Sequence, residues 1–217
     1  MILKHIHQNL AKLYDLDRSL PIEAFSCDEH TARAAVGDDI ERGEVVWFRE
    51  HDDEIAIGLY VEKEALDLLA TTETWQLANQ SHFQAFCLAA EGVSHVAYLH
   101  HRGSRGHKVS LLELELQAEI DKYALALLQG QGAGVIMERS RHLRRHLFEK
   151  TSFIDHEHSE AGERYRTASR HAARLAKYIE EHFVHRGALG ELATFLRRFY
   201  RKNTQGKLES CRKNSVE

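Results

Sequence analysis

The pattern of hydrophobic and polar positions divides the chain into an N-terminal helix, a short β region and a long helical region. Near the N-terminus, apolar side chains recur every three or four residues and therefore share one helix face; these are Ile2, Leu3, Ile6, Leu10 and Leu13. Three runs of β character follow, at residues 31–36, 44–50 and 54–61, with residues 51–53 as a tight hairpin loop. The sequence thus predicts a small antiparallel β-meander after the first helix.

Helical periodicity returns at residues 62–70 and then dominates the remainder of the chain. The helices predicted after that point are separated by glycine-containing breakers and cover residues 80–100, 111–129, 134–149, 159–184 and 188–200. This order of elements is typical of an α+β fold, mostly α, in which an N-terminal helix and a small antiparallel β-meander are followed by a helical bundle.

The chain has 217 residues, which is long enough to bury one good hydrophobic core. We expect a single α+β domain over residues 1–200, in which residues 1–70 contain the first helix and the meander and residues 71–200 form the bundle. Residues 201–217 have little apolar content, so we expect them to form a flexible basic tail.

The composition is that of an ordinary globular protein, with 43% hydrophobic and 29% charged residues. No run of apolar residues approaches the roughly 20 that a membrane-spanning helix needs, and charges interrupt the first helix too often for a signal peptide. The three cysteines, Cys27, Cys87 and Cys211, lie far apart, which argues against a disulfide scaffold and fits a reducing compartment. The sequence therefore predicts a cytoplasmic protein with no membrane segment.

The helix predicted near residues 80–100 carries a narrow polar seam. Its apolar residues spread around almost the whole circumference, as they do in a helix buried on all sides. Three of its polar residues, Gln84, Glu91 and His95, fall within a wedge of about 40° at 100° per residue. Tyr98 flanks this wedge and is a further candidate for the site.

The next helix brings a second pair of polar residues on one face. Ser110 and Glu113 match a capping box, which explains Glu113 structurally. Glu115 and Glu119 are one turn apart and lie between two apolar stripes. Asp121 points in another direction, so we expect it to be solvated.

These two helices are joined by a short connection, which favours an antiparallel hairpin. In such a hairpin, residues at equal height have a constant sum of residue numbers. Glu91 then lies level with Glu119, and His95 lies level with Glu115. The sequence therefore predicts one buried cluster of three carboxylates and an imidazole.

Such a cluster cannot remain charged and dry without compensation, because like charges and burial both disfavour ionised carboxylates. A divalent transition metal would compensate it, and carboxylate and imidazole ligands suit Zn, Mn or Fe. On this hypothesis Glu91, His95 and Glu119 are metal ligands of a hydrolase or oxidoreductase, and Glu115 is a ligand or a general base. The spacing differs from the Glu-x-x-His of di-iron bundles, and the sequence contains no HExxH.

Arginines from elsewhere in the fold are the alternative compensation. The amphipathic helix predicted over residues 159–184 carries Arg164 and His171 along one edge of its apolar face. Arg164 could neutralise the glutamates, and His171 could complete a metal site. The cluster is then either a metal-free pocket or a purely structural polar network.

The charge distribution favours a different functional hypothesis. The net charge is −4, yet residues 1–100 have 7 basic and 18 acidic side chains, whereas residues 101–217 have 22 and 15. This asymmetry indicates either attraction between the two halves or a basic face for nucleic acid or an acidic partner. Arg144 and Arg145 are the candidates for phosphate contacts in a non-enzymatic interaction module, although no known nucleic-acid-binding motif is present.

Overall fold

The structure, a computed structural model, describes residues 2–37, 40, 43–51, 54–71, 80–129, 133–149 and 159–213. Within these ranges the helices are α1 (Ile2–Tyr14), α2 (Glu29–Val36), α3 (Lys63–Ala70), α4 (Gln80–Gly103), α5 (Leu111–Leu128), α6 (Ala133–Arg144), α7 (Glu160–Ile179), α8 (Leu189–Tyr200) and α9 (Thr204–Lys213). Strands β1 (Glu44–His51) and β2 (Glu54–Val61) form the sheet. The predicted α+β class, mostly α with a helical bundle, is confirmed.

The sheet is an antiparallel hairpin in which Glu44 of β1 pairs with Val61 of β2 and His51 pairs with Glu54. These strands were predicted, whereas residues 52–53 of the predicted loop lie outside the described residues. The predicted strand at residues 31–36 is wrong, because these residues belong to α2.

The start of α2 and its composition explain this difference. The Asp28 carboxylate accepts a hydrogen bond of 2.8 Å from the Thr31 backbone N–H and caps the helix. Three alanines, the residue type with the highest helix propensity, follow in the helix, and Ala32 is fully buried. A cap and helix-forming residues therefore outweigh the weak β character of this run.

The antiparallel pair α4 and α5 forms the centre of the molecule. Helix α4 packs against α1, α3, both strands and α5, and α5 packs in turn against α6, α7 and α9. The predicted burial of α4 is confirmed, since Val93, Val96 and Tyr98 are fully buried. No described helix combines the length and the apolar character that crossing a membrane requires.

Gly92 allows the β-hairpin to approach α4 closely. A Cβ atom at this position would lie 2.4 Å from Leu59 Cδ1 and 2.9 Å from Glu44 Oε1. Glycine weakens a helix interior by about 1 kcal/mol relative to alanine, so its presence here needs a local reason. The close approach supplies that reason and brings Glu44 of β1 beside α4.

The predicted flexible tail is wrong over residues 204–213, which form α9 and pack against α5, α7 and α8. Lys207 and Cys211 of this helix are fully buried. Lys207 lies against the rings of Tyr98, Phe199 and Tyr200. A buried lysine adds nothing to a count of apolar residues, which explains why the sequence pattern missed this contact.

Candidate metal centre

Glu91, His95 and Glu115 come together between α4 and α5. Each offers one ligand atom, and these atoms all lie within 4.8 Å of one another. His95 Nε2 is 3.5 Å from Glu115 Oε2, as the level matching of the helical hairpin predicted. The buried cluster of glutamate and histidine is therefore confirmed as a structural feature.

Lys122 links Glu91 to Glu119, the remaining member of the predicted cluster. Its Nζ donates hydrogen bonds to Glu91 Oε2 at 2.7 Å and to Glu119 Oε1 at 3.0 Å. Burial alone would lower the pKa of Lys122, but the charges of Glu119 and Glu91 hold it well above its ordinary value. Sequence reasoning missed Lys122, although its position three residues after Glu119 is a recognised ion-pair spacing.

Glu44 reaches the cluster from β1 and was not predicted. Its Oε1 lies 3.7 Å from His95 Nδ1, so each nitrogen of the imidazole faces a carboxylate. Burial, with the charges of Glu91 and Glu115, raises the pKa of Glu44. Burial would lower the pKa of His95, but Glu115 and Glu44 outweigh it and hold that pKa well above its usual range.

Arg164 of α7 provides a second positive charge beside the carboxylates, as predicted by the hypothesis that an arginine neutralises the glutamates. Its Nε lies 3.7 Å from Glu115 Oε1. The group then contains four carboxylates, from Glu44, Glu91, Glu115 and Glu119, and two cations, from Lys122 and Arg164.

Two negative charges therefore remain when His95 is neutral, and one bound divalent cation would balance them. The hydrogen bonding of the cluster is also incomplete. Among the described residues, the buried atoms His95 Nε2, Glu44 Oε1 and Arg164 Nε have no hydrogen-bond partner. Buried polar atoms are nearly always satisfied in native proteins, so a missing ion, water or ligand is the expected explanation.

The distance between His95 Nε2 and Glu115 Oε2 fits that explanation. Two ligands held about 2.1 Å from one tetrahedral metal are separated by about 3.4 Å, whereas a hydrogen bond is shorter. The observed 3.5 Å matches the first geometry.

Two cavities are lined by different members of the cluster. The larger, of about 740 Å³, is lined by Glu91, Glu119 and Lys122 together with apolar side chains such as Leu68 and Leu88. The smaller, of about 180 Å³, is lined by polar groups of the cluster, namely Glu44, His95, Glu115 and Arg164. The three ligand candidates are therefore accessible, Glu91 from the larger cavity and the other two from the smaller.

Two further candidates lie outside this group. The Tyr98 hydroxyl donates a 2.5 Å hydrogen bond to Glu113 Oε1, in a different polar cluster. Burial lowers the pKa of His171, and the nearby arginines Arg174 and Arg212 lower it further. These cations would repel a metal ion at His171, and the structure does not place it with Glu115.

The arginines proposed for phosphate binding differ in exposure. Arg144 donates hydrogen bonds of 3.2 and 3.4 Å to the buried carboxylate of Glu180. Arg145 has a side chain that is 69% exposed and lies 4.0 Å from Glu149. The nucleic-acid interface stays a prediction, and it would depend more on Arg145 than on Arg144.

Asp121 lies in a second buried network, so the expectation that it is solvated is wrong. Tyr14, Ser94 and Gln117 donate hydrogen bonds to its carboxylate at 2.5, 2.6 and 2.7 Å. Burial raises the pKa of Asp121 to about 6 despite these donors. The sequence pattern missed this because α5 is packed on almost all sides rather than on one face.

Lys207 of α9 closes this second network. Its Nζ donates hydrogen bonds to Gln117 Oε1 and to the Phe199 carbonyl oxygen. Burial lowers the pKa of Lys207 to about 7, against the opposing effect of the acidic groups. The titratable and charged groups that face it are Asp121, Glu113, Arg102 and Cys211. The network therefore holds α9 to α5 through a fully buried ammonium group.

No protein-family model, curated protein or solved structure shows significant similarity to this chain. Its function is therefore inferred from its own residues. Among the described residues, Glu91, His95 and Glu115 are the group whose donor atoms have the spacing of a metal site.

Proposed function

We propose that the protein is a metal-dependent hydrolase whose centre binds one divalent transition metal through Glu91, His95 and Glu115. The observation that carries this proposal is the pairing of His95 Nε2 with Glu115 Oε2 at 3.5 Å, with no hydrogen-bond partner for that buried nitrogen among the described residues. Imidazole and carboxylate donors suit Zn, Mn or Fe. A ligating histidine must be neutral, and with His95 neutral the cluster has two uncompensated negative charges, which favours a divalent ion.

Glu44 supports His95 in this role. A ligating histidine usually directs its other ring nitrogen at a carboxylate, which fixes the tautomer and makes the ligand more basic. Glu44 occupies that position, 3.7 Å from His95 Nδ1. His95 Nε2 then faces Glu115 as an unprotonated ligand atom.

The number of ligands and the cavities favour catalysis over a structural role. Structural zinc sites are closed by four protein ligands, whereas catalytic sites have three and leave a position for water or substrate. Three candidate ligands lie together here, and Glu91 lines the cavity of about 740 Å³. A metal-bound water there would be a nucleophile at neutral pH.

In this proposal Glu115 is a ligand, and Glu119 is the general base. Glu119 lines the larger cavity and is held by Lys122 rather than by the group of three. Burial raises the pKa of Glu119, which brings this carboxylate closer to the pH at which it can exchange a proton.

Metal binding is tested by titrating chelator-treated protein with zinc and manganese. We expect one ion per chain in the wild type, and a loss of affinity of 100-fold or more in Glu91→Gln and Glu115→Gln. Glu113→Gln is the matched control, since Glu113 lies two residues from Glu115 but bonds to Tyr98 and Thr204. Equal metal affinity in the wild type and both variants would contradict the proposed metal centre.

Catalysis is tested on a panel of small esters and amides with the metal-loaded protein. We expect Glu119→Gln to retain its metal and to lower kcat by about 10²–10⁴, the usual contribution of a general base. A variant that lost its metal, or that hydrolysed substrates at the wild-type rate, would contradict this role.

A further inference from the structure

We propose that the smaller cavity beside the metal centre binds a short-chain carboxylate, whose charged group lies against Arg164 and whose chain lies against apolar walls. This inference rests on the proposed function and names the class of molecule that the site takes: an acid, or the acyl part of a substrate that yields such an acid. Three features of the cavity lead to it.

The first feature is the hydrogen-bonding capacity of Arg164. Its side chain is 21% exposed and lines the cavity, and its buried Nε makes no hydrogen bond to a described residue. Glu115 Oε1 lies 3.7 Å from this nitrogen, which is beyond hydrogen-bond length. A guanidinium group in this state presents donors in the fork geometry that matches a carboxylate.

The second feature is the apolar character of most of the remaining walls. Apart from Tyr165, they consist of Val36, three residues of β1 (Val45, Val46 and Phe48) and three leucines (Leu99, Leu111 and Leu114). Phe48 and Leu111 are 52% and 51% exposed, unusually high values for large hydrophobic side chains in this molecule. Two such residues at one cavity indicate a surface that an apolar group covers. The cavity thus combines one cationic group with a hydrophobic rim.

The third feature is the size of the cavity. Its volume of about 180 Å³ lies below the roughly 300 Å³ of pockets for drug-sized ligands. It therefore suits a molecule of a few non-hydrogen atoms. Butyrate has that size, whereas a sugar phosphate or a nucleotide is much larger.

The charges of the cluster make this binding depend on metal. Glu44 and Glu115 line the same cavity and would repel the carboxylate of a ligand in the metal-free protein. A divalent ion at Glu91, His95 and Glu115 cancels the excess charge, and Arg164 then becomes the partner of the incoming anion. We therefore expect carboxylates to bind the metal-loaded protein and not the metal-free protein.

The experiment loads the protein with cobalt(II) and follows its visible absorption spectrum during titration with formate, acetate, propionate, butyrate and hexanoate. We expect each of these acids to perturb the spectrum, and Kd to fall about fourfold for each methylene up to butyrate, the gain expected from burying a CH₂ group. Beyond butyrate the gain should level off, because the longer chain leaves the cavity. Butylamine, which has the chain without the anion, should leave the spectrum unchanged.

Arg164→Gln is expected to bind cobalt with the wild-type stoichiometry and to weaken butyrate binding at least tenfold. Arg170→Gln is the matched control on the same helix, since its side chain is 61% exposed and pairs with Glu163. Equal butyrate binding in wild type and Arg164→Gln, or no dependence on chain length, would overturn the inference. A wild-type protein that binds no cobalt would instead contradict the proposed metal centre.

Discussion

Replacing Lys122 by methionine tests how the acidic cluster is stabilised. The substitution keeps the length of the buried side chain and removes the ammonium group that bonds to Glu91 and Glu119. In metal-free protein these two carboxylates then lose their counter-charge. We expect the variant to unfold more easily in the absence of metal and to recover when metal is bound.

The magnitude follows from the burial of the three groups. Removing one partner of a buried ion pair typically costs 3–5 kcal/mol. The side chains of Lys122, Glu91 and Glu119 are 8%, 20% and 17% exposed, so partial solvation moves the expected loss to about 3 kcal/mol at the lower end of that range. A divalent ion bound by Glu91 neutralises one of these two carboxylates and should at least halve this difference.

The assay is urea unfolding with chelator and with saturating manganese, which binds the 16 histidines of the unfolded chain more weakly than zinc does. Lys63→Met is the matched control, because Lys63 pairs with Asp67 at an exposed position and its loss should leave the free energy of unfolding nearly unchanged. A loss below about 1 kcal/mol at Lys122, judged against the 3–5 kcal/mol expected for a buried pair, would refute the buried ion pair. If Lys122→Met loses the same free energy of unfolding with and without manganese, the idea that metal and lysine neutralise the same cluster is refuted.

Two further predictions concern the packing around the site. Gly92→Ala should lower the free energy of unfolding, measured by urea unfolding, by about 1–3 kcal/mol because the added methyl group meets Leu59 and Glu44. An unchanged free energy would contradict the close approach of the hairpin. Lys207 has a folded-state pKa of about 7, below its unfolded value, so the unfolded chain binds more protons above pH 7 and stability should rise with pH. Between pH 7 and 9, Lys207 should raise the free energy of unfolding by about 2 kcal/mol. Lys207→Met should abolish this rise, and Lys12→Met should retain it. An equal dependence of the free energy of unfolding on pH in both variants would contradict the buried ammonium.

The central hairpin was predictable from the sequence because local rules determine it. Ser110 accepts a hydrogen bond from the Glu113 backbone N–H and starts α5 at the predicted position. The short connection then fixes the relative height of α4 and α5. These two facts place His95 level with Glu115, whereas the packing of the two helices decides that the side chains face each other.

The groups that complete the cluster could not be predicted in the same way. Glu44 reaches His95 through the packing of a hairpin on a helix at Gly92, a tertiary contact over about fifty residues that leaves no periodic pattern. The height argument needs only two helices, whereas placing Glu44 needs the crossing of a sheet and a helix. The position of Arg164 was predicted as one alternative because its helix face could be read from the 3.6-residue period.

The burial of Asp121 and Lys207 shows a different limit. Both were expected to be solvated, since a charged side chain usually marks an exposed face. Here the carboxylate receives three hydrogen bonds and the ammonium lies among aromatic rings. One partner of each is distant in the chain, namely Tyr14 for Asp121 and Tyr98 for Lys207. Charge alone therefore does not separate surface from core in this protein.

The most direct test of the central claim is the metal content of tag-free protein, purified without added metal and dialysed against a weak chelator. The proposed centre predicts one transition-metal ion per chain in the wild type and none in His95→Ala. His142→Ala, which changes an exposed histidine of α6, should retain the ion. The same metal content in the His95→Ala protein and the wild type, or no metal in the wild type even after titration, would contradict a metal centre at Glu91, His95 and Glu115.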